Sequence, residues 1–358
     1  MEHFFNNILE HGSIIASPSK EPDYNFHWVR DAAIVMKGII TLYNDDNENQ
    51  KYKNIMKKYI DTEIIHIQHH AAEPKFNIDK TPYKGEWGRP QNDGPALRGI
   101  VCLQMIQYFE NDYSDNEYLE KLHKIIQNDL KYTIENIDNP CFDLWEEQYG
   151  FHLYTRLVQY KFLLDGKRQN INAFLLSNEN LMHMKDLLNH HIDGKNIFSS
   201  FTTDGKILRV YDSSVLLGLN HVDYDKEIFC FFKHGIQNYV LKMIETFTQL
   251  YKINSRCNIP FLGRYYDDAY FQGNPWIICT LSLFHYFIKT EQLENYKEQY
   301  MNFLDFLSKN KKMDLPEQLH KVNGCNLSVE RLTWNYSELI FLLHHIKKYK
   351  ISGLFNLI

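Results

Sequence analysis

The sequence predicts an all-α fold, a single-domain (α/α)6 toroid of six helical hairpins, and three observations predict it. Apolar residues recur every three to four positions in stretch after stretch. The two-residue alternation that marks half-buried strands is almost absent. The helical stretches alternate with long loops rich in Pro, Gly and Asn, and no Ser/Gly/Pro linker divides the chain. A length of 358 residues would ordinarily point to two domains. A large ring of helix pairs is an exception that keeps such a length around one core.

Taken in order, helical patterns cover 29–43, 52–68 and 93–110. After a cap at Ser114 or Asp115, Leu119, Leu122, Ile126, Leu130, Ile134 and Ile137 mark the next. Patterns at 150–165 and 178–190 follow. Val240, Met243, Ile244, Phe247 and Tyr251 define another, then Trp276 to Ile288, then Tyr300, Phe303, Leu304 and Leu307. The last covers 334–348. Between them lie the loops Ser17 to Asn25, Ala72 to Gly94, Ile137 to Phe142, Ile259 to Pro275 and Leu315 to Ser328. Rigid scaffolds carry their chemistry in such loops, and the candidate residues fall there.

Hydrophobic residues at 44% and charged residues at 23% describe an ordinary globular chain. A net charge of −6, without a basic, aromatic-interleaved run, argues against nucleic acid as a partner. No apolar stretch approaches the roughly 20 residues of a membrane span. Met1-Glu2-His3-Phe4-Phe5 lacks the pattern of a signal peptide, which favours a cytoplasmic location. The six cysteines (Cys102, Cys141, Cys230, Cys257, Cys279, Cys325) are scattered without a CxxC. That spacing favours free thiols in a reducing compartment and leaves a disulfide set open. Cys279, on an apolar helix, is expected to be a core thiol. An aromatic share of 15% fits sugar binding and equally fits the Tyr-, Asn-, Ile- and Lys-rich usage of an AT-rich genome.

The chemistry-bearing stretches are Phe142-Asp143-Leu144-Trp145-Glu146-Glu147 and, far along the chain, Pro316-Glu317-Gln318 before Leu332-Thr333-Trp334-Asn335-Tyr336. Cleaving a glycosidic bond takes two carboxyl groups in different settings, one protonated and one ionised. A Glu desolvated against an indole suits the acid role. His66, His69 and His70 have helical spacing, and His190-His191 and His344-His345 are adjacent pairs. No HExxH or carboxylate partner accompanies them, so no metal is expected. Asp267-Asp268 lacks the third Asp of a DDxxD motif.

Six segments resemble the glucoamylases, glycoside hydrolase family 15. They are Ser17-Pro18 through Pro22-Asp23-Tyr24-Asn25-Phe26-His27-Trp28-Val29-Arg30-Asp31; Glu73-Pro74-Lys75-Phe76-Asn77 with Trp87-Gly88-Arg89-Pro90-Gln91-Asn92-Asp93-Gly94-Pro95-Ala96-Leu97-Arg98; and Asp143 to Glu147. Gly263-Arg264-Tyr265 through Gly273-Asn274-Pro275-Trp276, the Glu317 segment with Leu332 to Tyr336, and more weakly Tyr211 to Gly218 complete the set. They occur in family order over nearly the whole chain.

The resemblance implies an inverting exo-hydrolase releasing β-D-glucose from the non-reducing ends of α-1,4-glucans or maltooligosaccharides, without a cofactor. It implies Glu146 as general acid and Glu317 as general base, with Glu330 the competing carboxylate near the base. Arg30 and Asp31 would grip the terminal glucose, and Arg264 would contact sugar. Glu147 would bond a hydroxyl of the leaving sugar, and Tyr24 would lie near the base and its water. Leu144 and the rings of Trp28, Trp87, Trp145 and Trp276 would line the pocket, one of the four indoles being structural. Inversion would set the two carboxyls roughly 6.5–9.5 Å apart. The chain departs from fungal members at Asn25-Phe26-His27, at Asn92 in place of Arg, and at Glu330-Arg331 in place of Arg-Asp. It is shorter than fungal catalytic domains, and no starch-binding module is expected. Reduced outer subsites and short soluble substrates are therefore expected, with isomaltose, dextran or trehalose as alternatives. A non-catalytic glucan-sensing toroid is the reading from another class. The chain is expected to be a monomer.

Overall fold

The computed structural model describes residues 2–46, 49–110, 113–171, 175–309 and 314–348. Twelve helices carry the architecture of these residues, with two short helical pieces, Lys226–Phe229 and Lys252–Cys257, in the connections. In chain order they are α1 (Glu2–Asn6), α2 (Val29–Asp45), α3 (Gln50–His66), α4 (Asp93–Phe109), α5 (Asn116–Glu135), α6 (Leu153–Arg168), α7 (Asn178–Asn189), α8 (Ser214–His221), α9 (Ile236–Leu250), α10 (Ile277–Lys289), α11 (Lys297–Lys309) and α12 (Thr333–Lys348). The even-numbered helices pack α2 on α4, α4 on α6, α6 on α8, α8 on α10, α10 on α12 and α12 back on α2. That closed ring is the inner wall of an (α/α)6 toroid, and the odd-numbered helices lie outside it.

Burial explains the division. All of the first twelve residues of α2, Val29 to Ile40, are buried, and every residue of α8 is buried. Helices buried on all sides belong inside. By contrast α5 buries Leu122, Ile125, Ile126, Asp129, Leu130 and Thr133 along one stripe, and α9 buries Ile236, Tyr239, Val240, Met243 and Phe247. These are one-sided helices of an outer layer.

Short strands decorate the loops. β1 (His27–Trp28) pairs with β2 (Lys75–Phe76). β3 (Cys141–Phe142) and β4 (Tyr149–His152) join β7 (Ser200–Phe201) and β8 (Ile207–Arg209) in an antiparallel sheet of order β3-β4-β7-β8. β5 (Ile192–Asp193) with β6 (Asn196–Ile197), and β9 (Gln318–Leu319) with β10 (Asn326–Leu327), form hairpins. Sequence pattern missed these because a two-residue strand has no period to display.

All six cysteines are free, with Cys102, Cys141 and Cys279 buried. No helix among the described residues is long and apolar enough to cross a membrane.

Candidate active site

Among the described residues, the segments that lead from an outer helix into the next inner helix run over the same end of the ring. The inner helices start at Val29, Asp93, Leu153, Ser214, Ile277 and Thr333, so their N-termini face that end and favour negative charge there. A cavity of about 810 Å³ opens among these segments. Tyr24, Trp28, Arg30, Asp31, Trp87, Leu144, Trp145, Glu146, Glu147, Arg264, Trp276 and Glu317 all lie on its wall. The sequence reading is thus gathered into one place. All four indoles line the cavity, where one of the four was expected to be structural, and Trp334 adds a fifth. The reason is geometric: Trp28, Trp145, Trp276 and Trp334 are buried in the core cluster and still present an edge or face to the cavity. Glu330 is not among the lining residues.

Glu146 sits in a tight turn between β3 and β4. Its backbone is left-handed, φ 66°, a conformation that costs a non-glycine residue roughly 1–2 kcal/mol. Asp143 holds the turn. Its carbonyl accepts from the Glu146 N–H at 2.9 Å, and its Oδ1 accepts from the N–H of Glu147 at 2.8 Å and of Gln148 at 3.1 Å. The indole beside Glu146 is not the expected one. Trp145 donates its Nε1–H to Asp212 at 3.0 Å and packs edge-on against Trp276 at 5.5 Å. It is Trp28 that donates to Glu146 Oε1, at 2.8 Å. Gln91 Nε2 donates to the same oxygen at 2.9 Å, and the Arg30 guanidinium lies 3.5 Å from it. The Gln91 amide orientation is fixed because its Oε1 accepts from Arg30 at 2.8 Å. Oε1 is thus taken by N–H donors from three different segments.

Glu317 is bonded through both of its oxygens. It is 1% exposed, and both its oxygens accept: Oε1 from the Tyr24 hydroxyl at 2.8 Å, Oε2 from Gln318 Nε2 at 3.0 Å. Tyr270 lies 3.3 Å from the Tyr24 hydroxyl and completes a short chain that ends on the carboxylate. Burial pushes the Glu317 carboxyl above its ordinary range, while the Tyr24 and Gln318 bonds pull it back.

The floor is Arg30 and Asp31, in the first turn of α2. Arg30 bonds Asp93 at 3.2 Å and lies 3.4 Å from Asp31. Burial pushes Asp31 up to about 7, with Arg30 pulling against it and Glu146 and Asp93 adding to the rise. Asp31 Oδ2 is buried without a hydrogen-bond donor. Below the floor, Tyr154 meets His221 Nδ1 at 2.8 Å, and His221 Nε2 meets Glu338 at 2.8 Å. These side chains fill the axis of the ring.

A second ionic network surrounds Glu147. Arg264 donates to Oε1 at 2.8 Å, Tyr265 donates to Oε2, and Arg209 approaches Oε2 at 3.3 Å. Arg209 also bonds Asp143 at 2.9 Å and lies 3.5 Å over the Tyr265 ring. Asp268 holds Arg264 through bonds of 2.9 and 2.6 Å. Asp268 stood out in the sequence only as part of an incomplete DDxxD motif, and Arg209 had no local signal. Lys75 was also missed. Its ammonium lies 3.5–4.5 Å from the ring centroids of Trp87, Phe26, Tyr83 and Trp28, and burial lowers it to about 8, Glu146 and Asp23 pulling against that.

His27, Glu63 and His66 bring three ligand-type atoms within 4.8 Å of one another, all buried. The donor set does not suit a metal. His27 Nδ1 accepts from the Ile14 N–H at 3.0 Å, which leaves the proton on Nε2, 3.0 Å from Glu63. Arg98 takes the other Glu63 oxygen at 3.0 Å and pairs with Asp129 at 2.7 Å. The cluster is an ion-pair core.

Two glutamates on the wall of one pocket of rings and ion pairs are the residue types that glycoside hydrolysis uses. Fold and site together define an (α/α)6 glycoside hydrolase. Residues 7–289 match the model of the glycosyl hydrolases family 15, and the chain belongs to that family. A glucoamylase of Blastobotrys adeninivorans is 31% identical over 332 residues, covering 80% of this chain and 53% of that protein. A probable glucoamylase of Schizosaccharomyces pombe is 28% identical over 98% of this chain and 90% of its own length. The chain thus spans about half the length of the first of these curated relatives and most of the second. The atomic-resolution structure of a glucoamylase from Saccharomycopsis fibuligera superposes with a TM-score of 0.82 at 23% identity, covering 98% of this chain and 94% of that one. It shares the fold.

Proposed function

We propose that this protein is an inverting, exo-acting glucan 1,4-α-glucosidase that releases β-D-glucose from the non-reducing ends of α-1,4-glucans and maltooligosaccharides. The observation that carries the reading is the contrast between the two glutamates. Glu146 has one oxygen committed to N–H donors and one left to hold a proton, whereas both oxygens of the buried Glu317 accept bonds that suit a carboxylate.

In the reaction, Glu146 Oε2 gives its proton to the glycosidic oxygen as the bond from C1 to that oxygen breaks. Glu317 takes a proton from a water whose oxygen forms the new bond to C1 on the opposite face. Room for that water implies carboxyls roughly 6.5–9.5 Å apart. Arg30 and the undonated oxygen of Asp31 are disposed to bind hydroxyls of the terminal glucose. The axis below them is filled by Tyr154, His221 and Glu338, which favours a chain end over a threaded chain. Glu147, held by Arg264, Tyr265 and Arg209, is placed to meet the sugar beyond the cleaved bond. The glucoamylase names of the relatives support an α-1,4-glucan as substrate.

Proton NMR of the anomeric signals during maltotriose hydrolysis tests the reading. β-Glucose that later mutarotates is expected, and Glu146→Gln and Glu317→Gln should each lower kcat at least about a hundredfold. Early α-glucose would refute inversion. No glucose from maltotriose, isomaltose or trehalose would favour a sugar-sensing role instead.

A further inference from the structure

The floor pair contains two atoms without partners that face each other. Asp31 Oδ2 and Arg30 Nε lie 3.4 Å apart. Both are buried, and neither has a hydrogen-bond partner. The guanidinium can only donate, and an ionised carboxyl can only accept. A hydroxyl suits such a pair, because its oxygen takes the Arg30 N–H while its own proton goes to Asp31. Between these two atoms the hydroxyl proton has one direction, so Asp31 Oδ2 must be free of a proton to receive it.

The sugar-free floor favours the opposite. Arg30 is met by three carboxyls, Asp93 at 3.2 Å, Asp31 at 3.4 Å and Glu146 at 3.5 Å. Lys75 acts on Glu146 from the ring cluster, so two cations face three carboxyls. Tyr154 of α6 also acts on Asp31 and Asp93, but its hydroxyl is engaged with His221. From α12 the Trp334 ring lies 6.0 Å from the Arg30 guanidinium. A surplus of buried negative charge keeps a proton on one member, and the three carboxyls titrate as a unit. Their donors decide which one. Asp93 accepts from Arg30 and from the Gly94 N–H, and Glu146 Oε1 accepts from Trp28 and Gln91. Such bonds favour a carboxylate. Asp31 Oδ2 accepts none. Burial pushes its carboxyl up to about 7 against the pull of Arg30, with Glu146 and Asp93 adding to the rise.

We propose that the terminal glucose moves this shared proton: it rests on Asp31 in the sugar-free protein, and Glu146 holds it once a glucose hydroxyl bridges Arg30 and Asp31. The proposal rests on the reading of Arg30 and Asp31 as the seat of that glucose. The hydroxyl bond ionises Asp31, whose proton leaves through pocket water, and Glu146 Oε2 takes one up, so none is gained or lost overall. With Asp31 and Asp93 both ionised, the surplus is relieved at the carboxyl whose second oxygen the N–H donors leave open. The acid is thereby loaded when a chain end is seated and is a carboxylate otherwise.

Infrared difference spectra on adding glucose at about pH 6.5, in protein carrying 13C at its aspartate carboxyls, test it directly. An isotope-shifted band of a protonated carboxyl should be lost, and an unshifted one, from a glutamate, gained. A loss without a gain would send the proton to solvent and overturn the proposal. So would no change while calorimetry shows glucose bound. A protein that binds no glucose would overturn the seat, and the proposal with it. The kinetic counterpart is Asp31→Asn, with a thermal melt to check its fold. Maltose turnover should fall, and the alkaline limb of kcat, which reports the acid in the complex, should move down by about one pH unit, because a neighbouring negative charge is missing. A lower kcat with the limb in place is the result of a merely structural role and would overturn the proposal.

Discussion

Removing the Tyr24 hydroxyl probes the proposed base without touching it. In Tyr24→Phe, Glu317 Oε1 loses the 2.8 Å bond it accepts, while Oε2 keeps the bond from Gln318. Burial raises the Glu317 carboxyl, and the Tyr24 bond is one of the contributions holding it down. The sign follows directly: without that donor the carboxyl binds its proton more tightly. A hydrogen bond to a charged group contributes about 1.5–3 kcal/mol. With Tyr270 or a water replacing part of it, about 1.4 kcal/mol is lost, which corresponds to about one pH unit. The acid limb of kcat/KM reports the base in the free enzyme. It should therefore move up by about one pH unit in Tyr24→Phe, measured as initial glucose release from maltose across the acid range. A thermal melt alongside checks folding. A folded variant whose acid limb stays in place, or moves down, would refute the assignment of Glu317 as base held by Tyr24.

Three further perturbations follow from the same geometry. Asp31→Asn should lower activity yet raise Tm at pH above about 7; the folded carboxyl at about 7 stands above its unfolded value of about 3.9, so the wild type loses stability as pH rises between the two. Melts at low pH should show that advantage shrinking, and an advantage that grows instead would refute the buried-acid argument. Arg209→Met strands Asp143, which burial raises and Arg209 holds down, so denaturant unfolding should show a loss of about 3 kcal/mol at neutral pH and a smaller loss in acid. Trp28→Phe keeps an aromatic ring, a smaller one, and removes the 2.8 Å donor to Glu146; kcat should fall about tenfold if the bond contributes about 1.4 kcal/mol, and an unchanged kcat would show that Gln91 alone positions Glu146.

Much of this was legible in the sequence, and for identifiable reasons. Amphipathic outer helices such as α5 display their period, so their bounds are recovered to within a few residues. Helix α8 does not, because every residue from Ser214 to His221 is buried and no polar face interrupts the pattern. Glu146, Glu317, Arg30 and Arg264 could be placed because they lie in ordered motifs. Their partners were harder to read. Gln91 and Lys75 stand inside motifs but show their roles only when loops far apart in sequence meet. Arg209 reaches Asp143 and Glu147 across more than sixty residues of chain. The indole next to Glu146 in sequence turned out to serve Asp212, since adjacent residues in a tight turn point apart.

The two glutamates are both bonded by a third segment that contains neither. Tyr24 donates to Glu317 and Trp28 donates to Glu146, so one stretch of five residues touches both carboxyls. The rings of Tyr24 and Trp28 lie 5.7 Å apart, and the backbone between them is anchored at His27. That imidazole accepts from the Ile14 N–H and lies 3.0 Å from Glu63, which is paired with Arg98 and, through it, Asp129. Glu63 and Asp129 belong to outer helices and Arg98 to an inner one. The ion-pair core that resembles a metal site is thus part of the scaffold behind the active segment. Movement of either glutamate's loop is resisted by this one short strand, which is tied to the ring itself.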